Sequence, residues 1–271
     1  DMGGIGLDYT LSPKTIIGGV VNGDATAFRR DGFNYSNVID GDAYKAPSHF
    51  TTANTSPNYW NNYTVNLNLR HNFDSTGRAL AVDADYAAYP SHGRQDYTTN
   101  YYDSLGNLLS PTPSILRGDL KGLTQIRSFK ADYTHPLLVN AKLEAGMKTS
   151  FVTADNDIRF YNMISGIYVP DLTKTYHFIY NENINAGYIN FSKDMDKWSA
   201  QLGLRAEQTI VKGDDRTSDS VFTRNYTQLF PSLAAQRHFD KNNDLGLTLS
   251  RRIERPNYEQ LNPFKYYLDP T

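Results

Sequence analysis

Tyr63-Thr64-Val65-Asn66-Leu67-Asn68-Leu69-Arg70-His71-Asn72-Phe73 decides the fold. Tyr63, Val65, Leu67, Leu69 and Phe73 fall on one face of an extended chain. Thr64, Asn66, Asn68, Arg70 and Asn72 fall on the other. Alternation with period two belongs to a strand with one apolar and one polar face; a helix needs a period of 3.6. The same pattern recurs in both directions. Leu80, Val82, Ala84 and Tyr86 oppose Asp83 and Asp85. Phe129, Ala131 and Tyr133 oppose Lys130 and Asp132, and Leu143, Ala145 and Met147 oppose Lys142, Glu144 and Lys148. Trp198, Ala200, Leu202, Leu204 and Ala206 oppose Ser199, Gln201, Arg205 and Glu207, and Leu247 opposes Thr248.

Turn residues punctuate the pattern at 12–14, 74–77, 135–140, 193–196 and 240–243. Longer polar stretches at 31–61, 91–113, 153–175 and 213–220 alternate with them. The reading is ten strands, near 3–11, 15–29, 60–73, 78–97, 115–134, 141–160, 175–192, 197–212, 219–238 and 244–255. Several exceed the ~9–11 residues that cross a bilayer as tilted β. Long strands, with short turns at one end and long connections at the other, predict an antiparallel transmembrane β-barrel segment. Its short turns are periplasmic and its long loops extracellular. Tyr9, Tyr63, Phe73, Tyr133, Trp198 and Phe239, near strand ends, fit interfacial girdles. A soluble β-sandwich is the rival, but it rarely sustains ten strands of this length.

Composition agrees. The 271 residues include 39% hydrophobic and 21% charged residues, 20 tyrosines and no cysteine. A disulfide scaffold and thiolate metal sites are excluded. A net charge of −2 gives no nucleic-acid footprint. No run approaches the ~18–20 apolar residues of a membrane helix.

The last third carries a more specific signal. Ile184-Asn185-Ala186-Gly187-Tyr188-Ile189-Asn190-Phe191-Ser192-Lys193 precedes Lys197-Trp198-Ser199-Ala200-Gln201-Leu202-Gly203-Leu204-Arg205-Ala206-Glu207. Leu229-Phe230-Pro231-Ser232-Leu233 follows, then Leu247-Thr248-Leu249-Ser250-Arg251-Arg252-Ile253-Glu254-Arg255-Pro256-Asn257-Tyr258 and Leu261-Asn262-Pro263-Phe264. This string resembles the barrel domain of TonB-dependent receptor-like proteins, over about residues 184–270. The resemblance implies that residues 1–271 are part of a larger outer-membrane barrel, with a signal peptide, a plug domain and further strands outside this sequence. It also implies uptake of a bulky nutrient (glycan, peptide or chelate) across the outer membrane of a Gram-negative bacterium. The implied partners are outer-membrane lipid, the plug, a TonB-type energy transducer and a surface lipoprotein. The alternative is a complete ten-stranded barrel acting as a narrow pore, enzyme or adhesion and assembly protein.

No catalytic, cofactor or metal residue is assigned, the ligand-binding residues are not legible, and the chain does not read as an enzyme. His49, His71, His92, His135, His177 and His238 are too scattered for a local metal motif. Asp83 and Asp85 share a face and read as solvated lumen carboxylates or partners of a cation such as Arg70. Asp155-Asn156-Asp157 and Asp214-Asp215 lack the spacing of a calcium loop. Asn-x-Ser/Thr triplets start at Asn34, Asn54, Asn62, Asn190 and Asn225; where an aromatic is central, alternation sends Asn inward and the ring to lipid. The aromatics Tyr44, Phe50, Tyr59, Trp60, Tyr97, Tyr101, Tyr102, Tyr161 and Tyr168 read as loop residues that either stack on a ligand or pack loops together.

Overall fold

The computed structural model describes residues 1–38, 48–137, 140–239 and 243–253. The strands are β1 (Met2–Ser12), β2 (Thr15–Val38), β3 (Ser48–Asn72), β4 (Ala79–Tyr102) and β5 (Ser114–Pro136). They continue with β6 (Ala141–Ile164), β7 (Ile167–Met195), β8 (Trp198–Asp215), β9 (Ser220–His238) and β10 (Asp244–Ser250). All ten lie in one antiparallel sheet in chain order. Among the described residues β1 and β10 have one neighbour each, so the sheet is an open, incomplete barrel. The ladder that would close a ten-stranded barrel is not among these pairings.

Register follows the hydrophobic pattern. Leu69 stands opposite Ile17 on one side and Val82 on the other; Val65 stands opposite Val21 and Tyr86. A slip of one residue would send every apolar side chain to the wet face. Tyr97 and Phe160 are 0% exposed although the sheet has no second layer. Curvature explains this: it crowds the inner side chains together and spreads the outer ones apart.

The short connections lie at one end. Asp74 shapes the β3–β4 turn by accepting the Thr76 N–H at 2.9 Å, and Gly77 takes φ 98° there. The turns near 135–140 and 240–243 include residues outside the description. They are closed by Leu137 N–H to Ala141 O at 2.8 Å and Phe239 N–H to Asn243 O at 3.0 Å.

At the other end the strands outrun the sequence reading. Most of the polar stretches 31–61 and 153–175 are strand, not loop. β6 and β7 meet at the two-residue turn Ser165-Gly166, both with positive φ (51° and 82°), as a tight hairpin of this twist requires. Twenty-four residues of β6 span about 80 Å at ~3.3 Å per residue, far more than a bilayer needs. The strands therefore stand well above the membrane. Near the top of β7 the register shifts: Ile158 pairs with Tyr176 but Phe160 with Asp171, so residues 172–175 bulge. Thr175 Oγ1 accepts the Phe160 N–H at 3.2 Å in place of the lost ladder bond.

Candidate functional site: the inner wall above the membrane band

The sheet has two tiers, and polarity inverts between them. In the lower tier the outer face is apolar. Leu67, Met147, Leu202, Leu204 and Leu247 are all exposed on it. The inner face there is polar. Asp85 accepts Asn66 Nδ2 at 2.6 Å and the Ser128 hydroxyl at 2.8 Å. Asp83 stands opposite Lys130, which pairs with Asp132, and Asp132 also takes the Tyr188 hydroxyl. Arg205 grips the buried Glu207 at 2.8 Å. Asp83 and Asp85 are thus lumen carboxylates with neutral donors and a lysine nearby. Lys130, rather than Arg70, is the cation across from Asp83.

Above Pro90 on β4, Leu123 on β5 and Thr153 on β6 the pattern reverses. The outer face becomes a lattice of ion pairs. Asp96 binds both Arg94 (2.8 Å) and Arg117 (2.7 Å). His92 meets Asp119 at 2.8 Å, Arg159 meets Asp157 at 2.6 Å, His177 meets Asp155 at 2.9 Å and Arg216 meets Asp214 at 3.1 Å. The Arg159 guanidinium holds the Asp157 carboxyl below its usual range, and Arg29 does the same for Asp31. Asp155, Asp157 and Asp214 already have cationic or histidine partners. Asp215 caps the β8–β9 turn through the Thr217 N–H at 2.9 Å. Among the described residues no three His, Cys, Asp or Glu side chains gather around a metal-sized space.

The inner face of the upper tier is aromatic and aliphatic. Tyr97, Leu116, Ile158 and Phe160 form one buried cluster with Leu120 against it. Ala154, Phe178, Tyr180 and Val211 form a second, with Tyr176 alongside. Thr52 and Thr99 bridge β3 and β4 by a buried hydroxyl–hydroxyl bond of 2.9 Å. Gly118 makes room for this packing, since a Cβ there would lie 2.7 Å from the Phe160 ring. Nearer β2, the Phe28 and Trp60 rings meet tilted at 53°, 4.9 Å between centroids. Trp60 stays 45% exposed on the inner face, so this pair is an accessible platform rather than packed core.

The physical cause is the change of solvent. At membrane height lipid lies outside and water inside. Above it water lies outside, and the outer face takes the charges that a soluble sheet would show. The inversion sorts the aromatics read from sequence. By register Phe50, Trp60, Tyr97 and Tyr101 face inward, while Tyr59, Tyr102, Tyr161 and Tyr168 face outward; Tyr44 lies outside the described residues. Arg117 sits 4.2 Å over the outward Tyr168 ring. Phe28, Leu116, Phe160, Phe178 and Tyr180 escape a reading that keeps the inner face polar along the whole strand. The Asn225 triplet also inverts: Tyr226 faces inward with Thr209 across the ladder, and Asn225 faces outward to accept Gln208 Nε2 at 3.3 Å. The girdle residues hold their places. Phe73 meets Tyr133 edge-on at 6.0 Å, and Arg237 lies 4.8 Å over Phe239 and 5.3 Å over Trp198. All six histidines sit in ring, hydroxyl or carboxylate contacts: His49 stacks on Tyr102 at 4.7 Å, His71 bonds Thr15, His135 bonds Tyr133, His177 bonds Asp155 and His238 bonds Asp244. The sixth, His92, is the Asp119 partner noted above.

An open sheet with an apolar belt outside, a polar lumen inside and charged outer walls above is an outer-membrane architecture, and the sequence comparison agrees. The profile of the outer membrane protein beta-barrel family matches residues 71–271. The chain belongs to that family. Its place is the outer membrane. No curated protein sequence matches the chain. Among solved structures, FpvA of P. aeruginosa, bound to heterologous pyoverdines, superposes with a TM-score of 0.50 at 12% identity, over 91% of this chain and 39% of that one. The ferripyoverdine receptor of the outer membrane of Pseudomonas aeruginosa gives 0.49 at 13% identity, over 91% and 40%. BauA, the ferric preacinetobactin receptor of Acinetobacter baumannii, gives 0.40 at 11% identity, over 88% and 43%. At 12% identity the likeness to FpvA is one of fold. The chain spans about two fifths of the length of the receptors it matches.

Proposed function

We propose that the inner wall of the upper tier is the outer vestibule of an uptake receptor for a bulky nutrient such as a glycan, a peptide or a metal chelate. The polar lower lumen is then the seat of a plug domain. A TonB-type transducer opens that plug from the periplasm, and a surface lipoprotein is a further candidate partner. One observation carries the reading: the Phe28–Trp60 platform faces inward above the membrane band and keeps nearly half of its indole open. An aromatic pair that is not consumed by packing offers the open indole face to a sugar, an aromatic side chain or a chelate ring. Such contacts contribute about 0.5–1.5 kcal/mol beyond area burial. The fold shared with receptors whose structures hold pyoverdines adds support at the level of architecture.

The test uses the intact receptor in cells that depend on it for growth on candidate glycans, peptides or iron chelates. Trp60→Ala should weaken binding of the accepted nutrient several-fold, with a matching fall in uptake. Tyr59→Ala, one residue away but facing outward, should leave both unchanged. Equal effects of the two substitutions would overturn the vestibule reading.

A further inference from the structure

The outer face of β1–β4 carries a hollow that uptake does not use. Its volume is about 470 Å³, and Leu7, Tyr9, Ile17, Leu67 and Val82 wall it over a floor at Gly19. The floor exists because residue 19 has no side chain, and nothing in the fold demands that. At Gly18 a Cβ would lie 2.4 Å from Asp8 Oδ1 and 2.7 Å from Asn68 Oδ1, so those side-chain ends would have to turn away. Gly19 is different. A Cβ would meet Leu67 at an ordinary 3.4 Å, and its φ is not in the left-handed region. A strand-interior glycine is a cost to the sheet, and elsewhere it marks the close approach of another molecule.

A cation stands at the lower rim. Lys14 occupies the periplasmic β1–β2 turn, and its Nζ donates to Phe73 O at 2.8 Å. Among the described residues Lys14 has no carboxylate partner, whereas Arg78 on the next turn is bound to Asp74 at 2.5 Å. Three residues separate Lys14 from Ile17, about 10 Å of strand. That is the separation between a phospholipid phosphate and the upper part of its acyl chains.

We propose that the hollow holds one acyl chain of an anionic phospholipid of the periplasmic leaflet, with its phosphate on Lys14. The occupant is lipid rather than a peptide or a second copy because the hollow opens within the apolar band. Its lining is almost wholly apolar, Tyr9 and Asn68 being the polar residues that border it, and an extended peptide there would leave backbone amides unpaired in hydrocarbon. The ammonium at headgroup height, bonded to the Phe73 carbonyl but to no carboxylate among the described residues, supplies the preference for negative charge. This inference rests on membership of the outer-membrane family and is independent of what the receptor takes up.

The experiment uses the intact receptor, extracted in mild detergent and exchanged into nanodiscs of phosphatidylethanolamine with or without phosphatidylglycerol. Native mass spectrometry counts the phospholipid retained on release from the disc. The wild type should keep one phosphatidylglycerol through activation that strips the rest, and should prefer it at least threefold over phosphatidylethanolamine. Gly19→Leu should lose the retained lipid by filling the floor. Lys14→Gln, at an exposed turn position whose side chain bonds only the Phe73 carbonyl, should abolish the preference. Heat-modifiable migration on gels checks that both variants are folded. If Gly19→Leu fails that check, Lys14→Gln alone decides. Unchanged preference in Lys14→Gln, or a retained lipid in folded Gly19→Leu, overturns the proposal.

Discussion

Leu202 lies at the centre of the apolar run of β8, with Trp198 and Ala200 below it and Leu204 and Ala206 above. It faces outward between Phe191 of β7 and Leu233 of β9 and is 55% exposed on the sheet surface. Leu202→Arg places a guanidinium in the middle of the band, where charge on a barrel's lipid face costs about 2–4 kcal/mol. At ~1.36 kcal/mol per factor of ten, the folded-to-unfolded ratio falls by about 30- to 900-fold. Ala206→Arg sits at the upper rim beside Gln208, where the cost drops to roughly 0–1 kcal/mol, because the long side chain reaches the headgroups. Gln201→Arg puts the same charge on the inner face, between Ser192 and Ala234, in a wet lumen that already holds Arg205. It should cost little. Urea unfolding of the intact receptor in lipid vesicles, followed by tryptophan fluorescence, measures all three. The expected order of destabilisation is Leu202, then Ala206, then Gln201. Equal cost at 201 and 202 would refute the assignment of faces. Equal cost at 202 and 206 would refute the placement of the band.

Two further outcomes follow from the upper tier and the turns. Phe160→Ala empties a site that is 0% exposed and should cost about 3–5 kcal/mol locally. Protease added to whole cells should then cut the β6–β7 hairpin while the membrane strands stay intact, and resistance equal to wild type would sink the idea of a packed collar. At the β3–β4 turn the Asp74 carboxyl is pulled down to about 2, first by the Thr76 hydroxyl and also by Arg78. A depressed carboxyl stabilises the turn above the ordinary value near 4, and that contribution disappears as pH falls through about 2. Carbon NMR of labelled aspartate in detergent should show this midpoint, and Thr76→Val should move it upward. A wild-type midpoint near 4 would contradict the turn geometry.

The sequence by itself determined the strand count, the antiparallel order and the faces at membrane height. The reason is that both solvents there are fixed and different. Lipid demands Leu67, Leu69 and Leu202 outside, and water accepts Asn66, Asn68 and Gln201 inside, so alternation alone states the orientation. The same reasoning placed Phe73, Tyr133 and Trp198 at the interface. Above the band local alternation loses that meaning, because water now bathes the outer face. Residues 31–38, 48–59 and 167–174 then look like loop, although they belong to continuous strands. Only the tertiary structure decided that Tyr97, Leu116 and Phe160, from three different strands, close on one another. Their contact depends on the register between strands and on curvature, neither of which a single strand's pattern contains. It likewise took the packed structure to separate Gly18, crowded by the Asp8 and Asn68 side chains, from Gly19, which leaves a hollow open.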